Sequence, residues 1–204
     1  MYVELNGKEY LPLMNLLEYG IDIKHRRVFL SGEITNGKTD AVIRGLILLA
    51  DRGAEDIDFI VQSPGGEMYD TFAIYDTIKG IPNNVRTIAI GHCQSSAPLL
   101  VAAGTPGKRI SLPNCHFMVH DIWTEGAPDA SVEAATKELR HTKRLRSRYL
   151  ELMTANSKMS LQDWRKICRR AGDLFFGPVE ALKYGIIDRI EKDNIWSGNN
   201  GEKK

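Results

Sequence analysis

From residue 27 onward, short apolar runs suited to strands alternate with segments whose apolar residues repeat at helical spacing. No other feature constrains the fold as much. A chain that alternates the two buries both by stacking helices on a largely parallel sheet, which makes this an α/β protein built from βα units. Arg27 to Ile34 reads as a strand, and Lys38 to Asp51 as a helix with Val42, Ile43, Leu46, Ile47 and Leu49 on a broad apolar face. Asp58 to Gln62 is a second strand, broken by Ser63-Pro64-Gly65-Gly66 ahead of a helix carrying Met68, Phe72, Tyr75 and Ile78; Val85 to Ile90 is a third strand. After Gly91 to Pro98 comes a small apolar helix, Leu99 to Gly104, with Pro98 in a first turn where its missing N–H is harmless. Arg109 to Leu112 and His116 to His120 read as short strands around a turn at Pro113-Asn114. The longest helix is expected over Ala130 to Met153, capped by Asp129. Shorter helices at Leu161 to Arg170 and Pro178 to Tyr184 flank Gly172 to Gly177, and a last strand, Gly185 to Ile190, precedes a polar tail.

There is no internal repeat or low-complexity linker, and 204 residues with 43% apolar content fit a single domain with its own core. That domain is expected over residues 27–191, after an N-terminal segment, 1–26, and before a C-terminal tail, 192–204. Leu13, Leu16, Leu17 and Ile21 form a stripe able to pack the N-terminal segment on the body or on a neighbour. A net charge of +1 gives no electrostatic reason to expect nucleic acid or an anionic membrane as partner. The one basic run, Lys137 to Arg148, reads as the solvated face of a helix. Three cysteines, Cys93, Cys115 and Cys168, are odd in number and lack a CxxC spacing, which argues against a disulfide framework and a zinc site and for a reducing compartment. The N-terminus has no basic start followed by an apolar core, and no stretch approaches the ~20 apolar residues of a membrane span, so a soluble cytoplasmic protein is expected.

A nucleophilic serine needs exposure at a sharp turn, a neighbouring base and N–H groups aimed at the developing oxyanion. Ser95 lies where a strand hands over to a helix, although serine at a helix start is more often a plain cap. Gly65-Gly66, after Pro64 at a strand end, lets the backbone expose N–H groups with no Cβ in the way. A structural turn or a phosphate loop is the other reading of this pair, but neither GxxxxGK[ST] nor GxGxxG is present. Among five histidines, His116 and His120 share one face of a strand, and His120 stands at its C-terminal end, where sites collect in α/β sheets. His25, His92 and His141 each have a bland surface reading. Asp173, in the apolar context Gly172-Asp173-Leu174-Phe175-Phe176, is the acid suited to orient a base; Asp121 points to the opposite face of an extended chain from His120.

Four stretches carry a family resemblance in order and at matching spacings: FIVQSPGGEMYDTFAIYD from Phe59, GHCQSSAPLLVAAG from Gly91, GKRISLPNCHFMVH from Gly107 and DLFFGPVEALKYGIID from Asp173. Together they resemble the Clp protease proteolytic subunit over roughly residues 27 to 190. The resemblance implies a ClpP-like, crotonase-type α/β fold whose long handle helix joins heptameric rings into a stacked double ring around a closed chamber. It implies Ser95 as nucleophile, His120 as base, Asp173 as orienting acid, and the N–H groups of Gly66 and Ser96 as the oxyanion hole. It further implies ATP-independent hydrolysis of peptides and unfolded proteins, with substrates fed by a separate AAA+ unfoldase, and no metal or organic cofactor.

The chain departs from the family pattern at several points. Ala97-Pro98 follow the nucleophile where a small Gly is usual, Cys93-Gln94 precede it, and Ser96 offers a second hydroxyl beside it. Ile122 to Asp129 replace the Gly-rich handle loop, Ala171-Gly172 replace the charged pair before the acid, and the N-terminal segment does not resemble the family's axial loop. Three other readings are a noncatalytic ring subunit, a virus-type processing peptidase, and a crotonase-fold acyl-CoA enzyme that would polarise a thioester carbonyl near Gly66.

Overall fold

The computed structural model describes residues 18–122, 131–169, 172–193 and 195–196. Leu13, Leu16, Leu17, Asp129 and all but the first residue of the Ile122 to Asp129 loop lie outside them. Five strands run side by side through the first half of the chain and its crossovers: β1 (Ile21–Asp22), β2 (Arg27–Ser31), β3 (Ile57–Ser63), β4 (Val85–Gln94) and β5 (Ile110–Ser111). Strands β2 to β5 are parallel, and β8 (Arg189–Ile190) closes the order β1-β2-β3-β4-β5-β8. β3 is buried at every position but Gln62, as expected of a central strand covered on both faces.

The crossovers are helical. In α1 (Asn36–Asp51), Thr39, Val42, Gly45, Leu46 and Leu49 face inward at helical spacing, while Ile47, expected on the apolar face, is 46% exposed. Gly45 lies so close to Ile21 and Val28 that a Cβ there would stand 3.0 to 3.2 Å from their side chains, which lets α1 sit tight on the sheet. In α2 (Met68–Gly80), Thr71, Ile74, Tyr75 and Ile78 form the buried stripe. Every residue of α3 (Ala97–Ala102) is buried, with Pro98 in the first turn as expected.

Two strands differ from the sequence reading in ways that build the site. β4 runs past Ile90 to Gln94, because its second half finds a new neighbour: Ile88 and Ala89 pair with β5, whereas His92, Cys93 and Gln94 pair with β6 (His116–Val119). A register shift against β3 and a positive φ of 58° at Gly91 bend the strand between these halves. The second difference is β7 (Leu174–Phe176), a segment expected only as a connection, which pairs antiparallel with β6. Its stacked Phe117 and Phe176 rings, 5.5 Å apart, anchor the pairing.

The long helix is α4 (Val132–Ala155), whose N-cap is Ser131 and not the expected Asp129; the Ser131 hydroxyl accepts from the Ala134 N–H at 3.2 Å. Its first half projects into solvent, with Val132 86% and Leu139 54% exposed, while Tyr149, Leu150, Leu152 and Met153 enter the core. α5 (Leu161–Arg169) packs on α4 and carries the fully buried Trp164, whose ring meets Tyr184 edge-on. α6 (Pro178–Tyr184) ends at Gly185 in the left-handed conformation, so the expected strand from Gly185 is shortened to β8. Beyond β8, Ile195 is buried against Ile60, Ile88 and Ile110, and Arg27 lies over the Trp196 ring. No helix among the described residues is long and apolar enough to cross a membrane.

Candidate active site

β4 ends one residue before Ser95 and α3 begins two residues after it, so the chain turns from sheet to helix within two residues. The turn forces Ser95 to φ +59°, a region that non-glycine residues avoid. Its N–H donates to the Met118 carbonyl at 2.8 Å, tying the turn to β6. Only one residue separates that bond from His120, just past the end of β6, and His120 Nε2 lies 2.7 Å from Ser95 Oγ.

The β6–β7 register explains where the acid falls. Phe117 pairs with Phe176, Met118 with Phe175 and Val119 with Leu174; carried one residue further, the same register sets His120 opposite Asp173. Asp173 Oδ1 is 3.7 Å from His120 Nδ1, an ion-pair separation longer than a hydrogen bond, and the Asp173 side chain is 40% exposed. The expected apolar surroundings of Asp173 are therefore corrected: its neighbour Phe175 is 63% exposed, and only Phe176 of this segment points firmly into the core.

Gly65 and Gly66 stand against the serine turn. A Cβ on Gly65 would lie 2.6 Å from Ser95 Cβ and 3.0 Å from the Ser96 nitrogen. The buried Ser63 hydroxyl accepts from the Gly65 N–H at 3.0 Å and locks the turn. Ile34 exchanges hydrogen bonds with the residues on either side of Gly66, donating to the Gly65 carbonyl at 2.8 Å and accepting from the Glu67 N–H at 3.1 Å. In that parallel pattern the Gly66 N–H faces away from Ile34. Among the described residues, neither the Gly66 nor the Ser96 N–H donates to a backbone or side-chain acceptor.

Ser96 is the other hydroxyl, and its surroundings separate it from Ser95. It is 1% exposed, accepts from the Thr71 hydroxyl at 2.9 Å and reaches the Gly66 carbonyl at 3.4 Å. The remaining histidines lie elsewhere: His25 pairs with Asp22, His92 and His116 are neighbours across β4 and β6, and His141 stacks on Tyr69. Asp121 turns from His120 toward Arg146, whose Nε donates to it at 2.6 Å.

Sequence reasoning missed the groups behind this pair. The Tyr149 hydroxyl donates to the Ser95 carbonyl at 3.0 Å, and the Cys168 thiol lies 3.7 Å from the His120 carbonyl. Burial, reinforced by the Asp121 carboxylate, raises the Cys168 thiol to about 11, so it is a neutral donor. A tyrosine within the aliphatic stripe of α4 was the available signal, since a buried phenol seeks a partner for its hydroxyl. All three cysteines are buried free thiols, and among the described residues no group of three or more His, Cys, Asp or Glu side chains could hold a metal ion.

A serine hydroxyl on a strained turn, within hydrogen-bond reach of an imidazole, is the working arrangement of serine hydrolases. Comparison with known proteins narrows that class. The chain belongs to the Clp protease family, a family of serine endopeptidases, whose sequence model matches residues 17–194. It is 34% identical to ATP-dependent Clp protease proteolytic subunit 4 of Arabidopsis thaliana chloroplasts, over 86% of this chain and 60% of that one. It is 36% identical to proteolytic subunit 3 of Streptomyces avermitilis, over 81% of this chain and 74% of the relative. With the proteolytic subunit of Borreliella afzelii the identity is 35%, over 82% and 84%. The chain thus spans less than two thirds of the chloroplast relative and most of the bacterial ones.

Proposed function

We propose that this chain is the peptidase core of a ring-shaped compartmental protease, with Ser95 as nucleophile, His120 as general base and Asp173 as the acid that orients it. The observation that carries the reading is the 2.7 Å contact between His120 Nε2 and Ser95 Oγ, made by a serine held at φ +59°. In the first step the neutral imidazole accepts the hydroxyl proton as Ser95 Oγ attacks the scissile carbonyl. The Gly66 and Ser96 N–H groups hold the oxyanion that results. His120 then protonates the leaving amine, and water, activated by the same imidazole, hydrolyses the ester. Asp173 keeps the Nδ1 proton in place; its 3.7 Å separation shortens in the substrate complex, as hydrogen bonds in free enzymes of this kind commonly do. The steps need neither metal nor organic cofactor.

The assembly reading rests on α4 and on the family. The exposed Val132 and Leu139 of its projecting half are apolar contacts available to further copies of the chain. Heptameric rings stacked in pairs, a cytoplasmic setting, peptide and unfolded-protein substrates and a separate AAA+ unfoldase complete the proposal. A noncatalytic ring subunit is disfavoured because serine, histidine and aspartate are all retained and two of them are in contact. The test is turnover of a fluorogenic peptide by wild type and Ser95→Ala, with native mass spectrometry on both. Peptidase activity that disappears in an intact ring of Ser95→Ala supports the reading; wild-type rings without peptidase activity refute it.

A further inference from the structure

Ser95 occupies its strained turn with a carbonyl that lacks a local partner. In a turn of this kind the N–H three residues on closes the ring, but that residue is Pro98, which has none, and Leu99 donates to the Ser96 carbonyl at 3.2 Å. The donor that does reach the Ser95 carbonyl comes from a distant element: the Tyr149 hydroxyl of α4, at 3.0 Å. Tyr149 is 3% exposed, and burial first of all, with the nearby Cys168 adding to it, keeps its phenol well above its ordinary pKa and therefore protonated.

The carbonyl that Tyr149 holds and the Ser96 N–H belong to one planar peptide unit. In a trans peptide the two point in opposite directions, so fixing one aims the other. With the Ser95 carbonyl drawn into the core toward α4, the Ser96 N–H points the other way, away from α4. α4 is itself pinned at this level, because Arg146, one turn earlier, is paired with Asp121 beside His120.

We propose that Tyr149 is a positioning residue for the oxyanion site: its hydroxyl supplies the hydrogen bond that Pro98 cannot, and holds the Ser95–Ser96 peptide with its N–H aimed at the reacting carbonyl. This rests on the reading of Ser95 as nucleophile. The bond also resists rotation of the peptide plane, the motion by which a left-handed turn relaxes. A loss of alignment at this plane is felt in the transition state, where charge sits on the oxyanion, and hardly in the bound substrate.

The test removes the hydroxyl and keeps the volume, with Tyr149→Phe and, as a second variant, Tyr149→Met. On a fluorogenic peptide kcat should fall about tenfold or more in both, with KM within about twofold. Affinity for a peptide boronate, whose tetrahedral adduct places an oxygen in the oxyanion site, should fall in step with kcat/KM, while affinity for a product-like peptide stays at the wild-type value. Leu152→Ala, three residues on in the same buried stripe, is the structural comparator: it should lower Tm and leave kcat per folded ring unchanged. Wild-type kcat and boronate affinity in the Tyr149 variants would overturn the proposal. So would equal losses of boronate and product affinity, or a matching kcat loss in Leu152→Ala, since these mark a core residue and nothing more. Peptidase activity that survives in Ser95→Ala would instead bring down the active-site reading itself, and the Tyr149 proposal with it.

Discussion

Gly65→Ala presses on the proposed nucleophile without replacing a group that takes part in the chemistry. The added Cβ would stand 2.6 Å from Ser95 Cβ and 2.8 Å from the Gln94 carbonyl oxygen. Carbon atoms prefer roughly 3.5 to 4.0 Å, so about 1 Å must be recovered by moving the serine turn, the glycine turn or both. Gly65 also sits at φ +95°, where a side chain adds about 1 to 3 kcal/mol of backbone strain. Overpacking of this kind adds about 1 to 3 kcal/mol more. The turn lies between two well-paired strands and has little room to relax, so part of the strain should appear as displacement of Ser95. A displacement near 1 Å at a reacting group lowers turnover about a hundredfold. The assay is fluorogenic-peptide turnover together with Tm, against Gly37→Ala on α1 as reference, where a Cβ would meet nothing within 4 Å. Gly65→Ala should lose both stability and turnover, and Gly37→Ala neither. Wild-type turnover and Tm in Gly65→Ala would refute the packing of this loop on the nucleophile.

Three further outcomes follow from the same geometry. Asp173→Asn should lower kcat by roughly a thousandfold with the fold intact, because an amide favours the wrong imidazole tautomer; a loss below tenfold would detach Asp173 from the mechanism. Asp188, though partly desolvated, receives the Arg109 guanidinium and the Arg109 and Gly107 N–H groups, and these outweigh burial and hold its carboxyl below the ordinary value of 3.8. A depressed native pKa stabilises above the unfolded value, and that stabilisation is lost as pH falls through the native one, so the advantage of wild type over Asp188→Asn at neutral pH should shrink below about pH 4. A Tm difference that is constant from pH 7 to pH 3 would contradict this. The exposed basic face of α4 carries Lys137, Arg140, Lys143, Arg144 and Arg148, of which Lys137 and Arg148 are paired with Glu133 and Glu151 of the same helix; in the proposed assembly it predicts a salt-sensitive contact between rings, because burying the charges left without partners costs several kcal/mol each. Sedimentation across a salt series checks it; a double ring unchanged from low to high ionic strength refutes the salt dependence.

Much of this protein was legible in its sequence wherever one element's pattern is enough to decide. The buried run of β3, the stripe of α2 and the proline at the start of α3 each declare their state locally. What the sequence hid depends on partners distant in the chain. The extension of β4 to Gln94 exists because β6 arrives to pair with it, and nothing in Gly91 to Gln94 announces that neighbour. β7 was read as a connection because three residues carry little periodicity, yet its register with β6 is what sets Asp173 opposite His120. Ser95 and His120 were singled out by their positions at the ends of elements together with the family resemblance, which also favoured Ser95 over Ser96. What the sequence could not show is the Thr71 hydroxyl engaging Ser96 across the core, the contact that separates the two serines.

Covalent labelling probes the proposed role of the Ser95 hydroxyl as nucleophile without relying on turnover. Wild-type protein and Ser95→Ala are treated with a fluorophosphonate, and the adduct is mapped by peptide mass spectrometry. A single adduct on Ser95 is expected, and none in the folded Ser95→Ala protein. An adduct on Ser96, or wild-type protein that stays unlabelled while correctly folded and assembled, would contradict it.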